Sequence, residues 1–381
     1  MLKSFLDNKP LYYDKIDYTR MPRIYKSIEA YLTIPKIIHL IGTNGKGTTG
    51  RFLAKALHSV GKRVGHYTSP HILNFNERIW IDGEDIDDEH LDSAHIELLK
   101  LLSKKDADAL SYFEYTTLLA LYIYQDMEYV VLEAGLGGER DATAVFSKHL
   151  TLVTPIDIDH EAFLGSDISS IALTKLNAIE NVAIIAKQKH HDVTVVTQKL
   201  VDKKKIQVLS LETFITSLDK EKIEIISKEN RLAPYLKNNL SLAIAALNYM
   251  NISYEVKDFR NSRLFGRLTQ VRENILVDVG HNVLAARSIY ESLKNSKYTL
   301  VYNSYKDKNY KEIIEILKPI LNDIELIEIE DKRVEELETL KAVINNIGFD
   351  CKLFSKIEKE KNYLVFGSFS VVEKFLKEVD V

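Results

Sequence analysis

Apolar positions along this chain come in short solid runs separated by longer amphipathic stretches. The runs "KIIHLIG", "RVGHYTS", "YVVLEAG", "LTLVTPI" and "NVAIIA" carry no polar alternation, whereas "KGTTGRFLAKALHSV" repeats its apolar positions at helical spacing. Solid runs of that length fit strands covered on both faces, and their alternation with helices predicts a parallel α/β sheet. In such a sheet the ligand site lies at the carboxyl ends of the strands. A helical segment "LKNNLSLAIAALNYM", Leu236 to Met250, closes this block, and the polar stretch "KDFRNSRLFGR" follows. The pattern then restarts on a smaller scale with "NILVDVG", "AARSIYESL", "YTLVYN", "YKEIIEILKPI", "IELIEIE", "VEELETLKAVI", "YLVFGS" and "VVEKFLKEV". Two domains, 1–257 and 258–381, are expected, facing each other across a substrate cleft.

Composition narrows the picture. A chain of 381 residues with 45% apolar content can build two cores. With 51 basic against 55 acidic residues it has no bulk basic field, so nucleic acid is not an expected partner. Lysine runs such as "DKKKIQ" and "KIEKEKN" fit a solvated surface. The longest apolar runs, such as "TTLLALYIY", are under half the roughly 20 residues of a membrane helix, so no membrane partner is expected. A single cysteine, Cys351, cannot form an internal disulfide, and "MLKSFLDNKPLYYDK" has no apolar core of leader length; a cytoplasmic location is expected.

The candidate chemistry gathers at strand ends. "GTNGKGTT", Gly42 to Thr49, joins an apolar strand to a helix but departs from G-x-x-x-x-G-K-[ST]: Leu40 stands where a glycine belongs and Gly47 where a hydroxyl belongs. Its physics is still that of a phosphate cradle. Gly42, Gly45 and Gly47 expose backbone N–H groups at the positive end of a helix, Lys46 adds a charge, and Thr48 and Thr49 offer hydroxyls suited to Mg²⁺. Glu133 ends another apolar strand just before "GLGG", which delivers a carboxylate to the same sheet edge. His160 follows a further strand within "DIDHE", where a loop residue and a metal ligand are both open readings. Lys175, at a helix entry, fits a surface charge. No histidine or cysteine spacing matches a zinc site, and "GSFS" near Ser368 is not a nucleophile elbow.

Taken in order, these motifs resemble the folylpolyglutamate synthase and dihydrofolate synthase branch of the Mur ligase superfamily. The glycine between lysine and hydroxyl in "GTNGKGTT" is that branch's variant of the ATP loop, which implies nucleotide contacts at Gly42, Thr43, Asn44, Gly45, Lys46, Gly47 and Thr48. "GKRVGHYTSPHILNFNERIWIDG" resembles its second strand and following loop, implying a metal ligand at Ser69 and substrate contacts at Phe75, Glu77 and Arg78. "YFEYTTLLAL" resembles its Phe-Glu helix, and "YVVLEAGLGGERDATAV" its acidic strand, implying that Glu133 and Thr48 hold Mg²⁺. "TPIDIDHEAFLGSDISSIALTK" implies that His160 binds a second metal ion and that Lys175 is carbamylated by CO₂, although "LNAIE" replaces the family's Ala-Gly-Ile-Ile-Lys after it. "FGRLTQV" and "ILVDVGHNVLAA" imply ATP contacts at Arg267, Asp278 and His281, with Asn282 retained; Val279, Gly280 and Val283 depart. The Asp307–Lys308 pair and the strand "YLVFGSFSVV" also match. Ala144, Leu236 and Thr174 replace an asparagine, a glutamine and an acid, while Asn239 keeps the adenine-side asparagine.

The resemblance implies a Mur ligase-like fold, an N-terminal P-loop-type mostly parallel sheet domain plus a smaller C-terminal α/β domain. It implies an ADP-forming carbon–nitrogen ligase that adds L-glutamate to dihydropteroate or a reduced folate through an acyl phosphate, acting as a monomer. Lys46, His160 and Lys175 are the implied catalytic residues, with ATP as substrate and two Mg²⁺ ions. Two other readings stay open: a Mur-type ligase for a different acceptor, and a nucleotide-binding protein that has lost ligation.

Overall fold

A computed structural model of the chain describes residues 1–10 and 17–379. Residues 11–15 of the amino-terminal stretch inspected for a leader lie outside the described residues. Contacts divide the chain into two units, one formed by Met1–Asn230 with Asn238–Ser262 and the other by Arg231–Lys237 with Arg263–Val381.

The first unit is built on an eight-stranded sheet. Its strands are β1 (Lys36–Ile41), β2 (Val64–Tyr67), β3 (Ile79–Ile81), β4 (Glu84–Asp85), β5 (Tyr129–Glu133), β6 (Leu150–Val153), β7 (Val182–Ile185) and β8 (Gln207–Ser210), in the spatial order β4-β3-β2-β5-β1-β6-β7-β8. All neighbours pair parallel except β2 with β3 and β3 with β4. The antiparallel β3–β4 pair is closed by Asp82 and Gly83, whose φ of 44° and 121° make a two-residue hairpin turn. β1 is buried throughout except at Lys36, because helices cover both sides of the sheet. It lies between β5 and β6 with all three running the same way, so the loops that leave their carboxyl ends emerge side by side.

Helix starts follow local chemistry. Ser111 and Glu114 form a reciprocal capping box for the helix Tyr112–Ile123, and Asp167 caps Ile168–Leu176. The helix Lys46–Ser59 instead begins at Gly45, whose φ of 92° turns the chain from strand into helix.

The second unit carries a six-stranded sheet of β9 (Thr269–Arg272), β10 (Ile275–Asp278), β11 (Tyr298–Tyr302), β12 (Leu321–Leu326), β13 (Cys351–Leu353) and β14 (Tyr363–Phe366), ordered β13-β12-β11-β14-β10-β9. Only the β9–β10 pair is antiparallel. The helices Val283–Leu293, Tyr310–Leu317, Leu337–Ile347 and Phe369–Glu378 bury one apolar stripe each. Two α/β parts with mostly parallel sheets are therefore present, as the apolar pattern predicts. Among the described residues no helix is long and apolar enough to cross a membrane.

Candidate active site

The loop Gly42–Gly45 leaves β1 in a conformation that side chains would block. Gly42 has φ of 137°, and a Cβ there would lie 2.0 Å from Thr154 Oγ1 and 2.8 Å from the Thr154 carbonyl oxygen. At Gly45 a Cβ would lie 2.4 Å from Asn239 Oδ1, which seats Asn239 of the helix Pro234–Tyr249 directly against the loop. Thr43 fixes the other side: its N–H donates to the Pro155 carbonyl at 2.9 Å, and its hydroxyl both donates to the Asp157 carbonyl at 2.9 Å and accepts from the Asp157 N–H at 3.0 Å. Thr43 thus zips the loop to the segment after β6, so its own N–H and hydroxyl face protein rather than ligand. The N–H groups of the first helical turn after Gly45 have no intrahelical acceptor, because such bonds begin with Thr49 N–H to the Gly45 carbonyl at 2.9 Å.

Lys46 folds back over this loop, donating to the carbonyls of Gly42 at 3.3 Å and Thr43 at 3.2 Å, with its ammonium 3.9 Å from Glu133 Oε1. The other carboxylate oxygen of Glu133 accepts from the Thr68 hydroxyl and from the Ser69 N–H at 3.2 Å. Loop lysine, strand-end carboxylate and the β2 end that carries Ser69 therefore converge. Thr48 Oγ1 is buried with no partner among the described residues. An orphaned hydroxyl in the first helical turn, whose Lys46 reaches the Glu133 carboxylate, belongs to a donor set of hard oxygens that fits Mg²⁺.

Lys175 is not a surface residue: it is 4% exposed, and its ammonium donates to the Gly42 carbonyl at 3.0 Å. Burial, reinforced by the charge of Lys46 and opposed by Asp159 and Asp141, pushes its amine down to about 7. Asp159 is buried and one carboxylate oxygen accepts the His160 N–H at 2.8 Å. His160 itself has φ of 54°, and its ring offers a nitrogen within 4.8 Å of an Asp159 oxygen. A second cation could use that pair.

The loop of Phe75, Glu77 and Arg78 lies on the same side of β2. Glu77 accepts from the N–H groups of Ile72 at 2.7 Å, Leu73 at 2.8 Å and Asn74 at 2.8 Å, so its carboxylate organises the turn. Arg78 is 8% exposed; its Nε donates to His71 Nδ1 at 2.8 Å and its guanidinium sits 5.3 Å from the Tyr112 ring centroid and 5.9 Å from that of Phe75. Its carbonyl accepts the Thr68 N–H at 3.0 Å, which ties the loop to the residue that grips Glu133.

Three of the predicted nucleotide residues belong to the second unit and are grouped there. Asp278 ends β10 and accepts from Tyr235 Oη at 2.8 Å, the Leu268 N–H at 2.8 Å and the Gly280 N–H at 2.8 Å; burial pushes its carboxyl up, with nearby Arg267 opposing. Arg267 donates to the Gly266 carbonyl at 3.1 Å and stacks 5.3 Å from the Phe369 ring centroid. His281 Nδ1 lies 3.2 Å from the Val279 carbonyl oxygen, and Asn282 caps the helix Val283–Leu293 through the Ala285 N–H at 3.0 Å.

Several residues of this arrangement had no signal in the sequence reading. Thr68 and Tyr235 act through partners dozens of positions away, Asp141 is placed by the turn after Glu133, and Asp159 sits beside His160. The second acid of "DIDHE" was the one local clue to Asp159.

Comparison with known proteins gives no matching family model. A Haemophilus influenzae protein named dihydrofolate synthase/folylpolyglutamate synthase is 30% identical over 411 residues, covering 95% of this chain and 93% of its own. The crystal structure of Helicobacter pylori folylpolyglutamate synthetase aligns with a TM-score of 0.80 and 37% identity, covering 99% of this chain and 97% of that one. A Yersinia pestis bifunctional folylpolyglutamate synthase/dihydrofolate synthase, complexed with AMPPNP and a Mn ion, shares the fold at a TM-score of 0.82 and 22% identity, covering 100% of this chain and 97% of that one.

Proposed function

This chain belongs to the dihydrofolate synthase/folylpolyglutamate synthase family, and on that premise we propose how its residues join L-glutamate to a pteroate or folate carboxylate at the expense of ATP. The observation that carries the reading is the phosphate loop at the end of β1, with the orphaned Thr48 hydroxyl and the Glu133 carboxylate beside it. The free N–H groups of the helix start and Lys46 orient the γ-phosphate. An oxygen of the acceptor carboxylate attacks phosphorus, the bond to ADP breaks, and an acyl phosphate forms. The glutamate amine then attacks the acyl carbon, phosphate leaves, and the nitrogen gives up a proton. Two anions must meet in the first step, so positive charge at the loop lowers the barrier; one well-placed donor is worth about 2.7–4 kcal/mol in comparable sites.

Mg²⁺, held by Thr48, Ser69 and Glu133, would supply further charge neutralisation; the Mn ion in the Yersinia relative supports divalent metal use. Asp159 and His160 offer ligands for a second ion. Lys175 is the residue for carbamylation in this reading. An amine pushed down to about 7 is about half neutral near pH 7, where an ordinary lysine is almost wholly protonated, and the neutral nitrogen can attack CO₂, forming a nitrogen–carbon bond with loss of one proton. The buried cation becomes an anion beside Lys46. Phe75 and Arg78 form the acceptor-side wall, and Arg267, Asp278 and His281 are the nucleotide contacts that the family resemblance implies. The protein works as a cytoplasmic monomer on small molecules.

Purified protein with ATP, Mg²⁺, L-glutamate and either dihydropteroate or tetrahydrofolate tests the reading. Phosphate release should require glutamate together with at least one of the two acceptors. Release indifferent to both would overturn it.

A further inference from the structure

Among the buried titratable side chains without a task in this scheme, His39 lies nearest the phosphate loop in sequence. His39 stands in β1 three residues before Gly42, fully buried among Ile37, Ile38, Leu40 and Ile41. An apolar residue would cost less there. Burial, with Lys148 adding to it, holds the imidazole down at about 3, so it is neutral, and its Nδ1 is buried with no partner among the described residues. A strand core that accepts an orphaned nitrogen breaks a local rule, and such breaks mark positions where another requirement dominates.

The other ring nitrogen shows the requirement. His39 Nε2 lies 2.8 Å from Thr143 Oγ1, and Thr143 Oγ1 lies 2.6 Å from Asp141 Oδ1. The carboxylate takes N–H donors on both oxygens, from Thr143 at 2.9 Å on Oδ1 and from Leu136 at 2.8 Å on Oδ2. The Thr143 hydroxyl donates to Asp141 Oδ1, so its oxygen accepts from His39 Nε2. The imidazole is the Nε2–H tautomer, and the chain of donors runs one way, from β1 to the turn that follows Glu133.

That turn has no slack. A Cβ on Gly135 would lie 2.6 Å from the Phe113 ring, and one on Gly138 would lie 2.5 Å from the Lys175 carbonyl oxygen. The Glu139 N–H donates to the Thr174 carbonyl at 2.9 Å, and the Lys175 ammonium returns to Gly42 at 3.0 Å. The contacts close a ring: β1, His39, Thr143, Asp141, the glycine turn, Lys175, and the phosphate loop at the end of β1.

We propose that His39 is a positioning residue for the ligase site, holding the glycine turn after Glu133 in register with the strand that carries the phosphate loop. The inference rests on the ligase reading for its consequence, while the hydrogen-bond chain itself is independent of it. Displacement of reacting groups by about 1 Å can cost about 100-fold in rate, so loss of this tether should appear in turnover.

The test uses the full chain with His39→Leu, His39→Gln and Thr143→Val. His39→Leu should lower kcat by about 10- to 100-fold with KM for ATP changed less than about threefold, because Lys46 and the loop N–H groups remain. His39→Gln, which can place an amide N–H near the Nε2 position, should recover kcat to within about threefold of wild type. Nitrogen-15 shifts of the imidazole should report a neutral Nε2–H tautomer from about pH 5 to 9 in the wild type, and a change at Nε2 in Thr143→Val. Wild-type kcat in His39→Leu, a glutamine variant no better than leucine at equal thermal midpoint, or a protonated ring would each overturn the inference. If His39→Leu melts early, the glutamine variant and the ring shifts decide. Failure of the wild type to release glutamate-dependent phosphate would instead sink the ligase reading and leave the ring shifts to judge the tether.

Discussion

At the scale of one residue, Lys175 carries a buried amine at the phosphate loop. Its amine titrates near 7 when folded and near 10.5 when exposed. Between those values the unfolded chain binds the extra proton, so this group makes stability rise with pH from about 7 to about 10.5, and below about pH 7 the full cost of a buried ammonium is present. Lys175→Met removes that cost. Urea unfolding should therefore show the variant more stable by about 1–3 kcal/mol at pH 6, with the gain shrinking toward pH 10. Its ligase activity should be lost at every pH, and the wild-type enzyme should slow in CO₂-depleted buffer and recover with bicarbonate. Equal stability of the two proteins at pH 6 would contradict the burial argument. The burial was not visible in "IALTKLNAIE", although the family resemblance marked the lysine: whether a lysine on a short helix meets water or Gly42, 133 positions away, is decided by how helix and sheet pack. Glu133 was legible because a carboxylate ending an apolar strand announces itself locally.

The element that governs the site is strand, loop and helix taken together. Gly42 and Gly45 both need left-handed backbone, but they differ in what surrounds them. At Gly42 the obstacle includes the Thr154 backbone, which cannot move without shifting β6; at Gly45 it is the end of the Asn239 side chain, which can rotate. Gly42→Ala should thus cost about 1–3 kcal/mol or more in stability along with nucleotide binding, while Gly45→Ala should fold and lose nucleotide affinity. Thermal unfolding and nucleotide titration calorimetry separate the two; equal thermal losses would refute the distinction. Strands written as solid apolar runs were legible from the chain, namely β1, β2, β5, β6 and β7, as was the helix Lys46–Ser59 with its helical spacing. β9 and β13 were not. Each has three or four residues, half or more exposed, and owes its existence to a neighbouring strand rather than to its own composition.

For the whole molecule, a bound nucleotide should act as a stabiliser by mass action. At about 100 times its dissociation constant, Mg²⁺ with AMPPNP should add about 2.7 kcal/mol to unfolding, and Lys46→Ala should largely remove the shift while keeping the unliganded thermal midpoint. A full shift in Lys46→Ala would remove the lysine from the nucleotide site. The units themselves are not contiguous in sequence: the assignment changes at 230/231, at 237/238 and at 262/263. Residues 231–237 count with the second unit, where Tyr235 donates to Asp278. A fragment ending anywhere from 238 to 262 would carry that tyrosine away and leave a buried carboxylate one donor short. The two units are accordingly poor modules for exchange between relatives at a single splice point. A functional chimera has to move 231–237 with the carboxyl-terminal unit, so recombination within this family should tolerate paired junctions around that segment far better than one crossover.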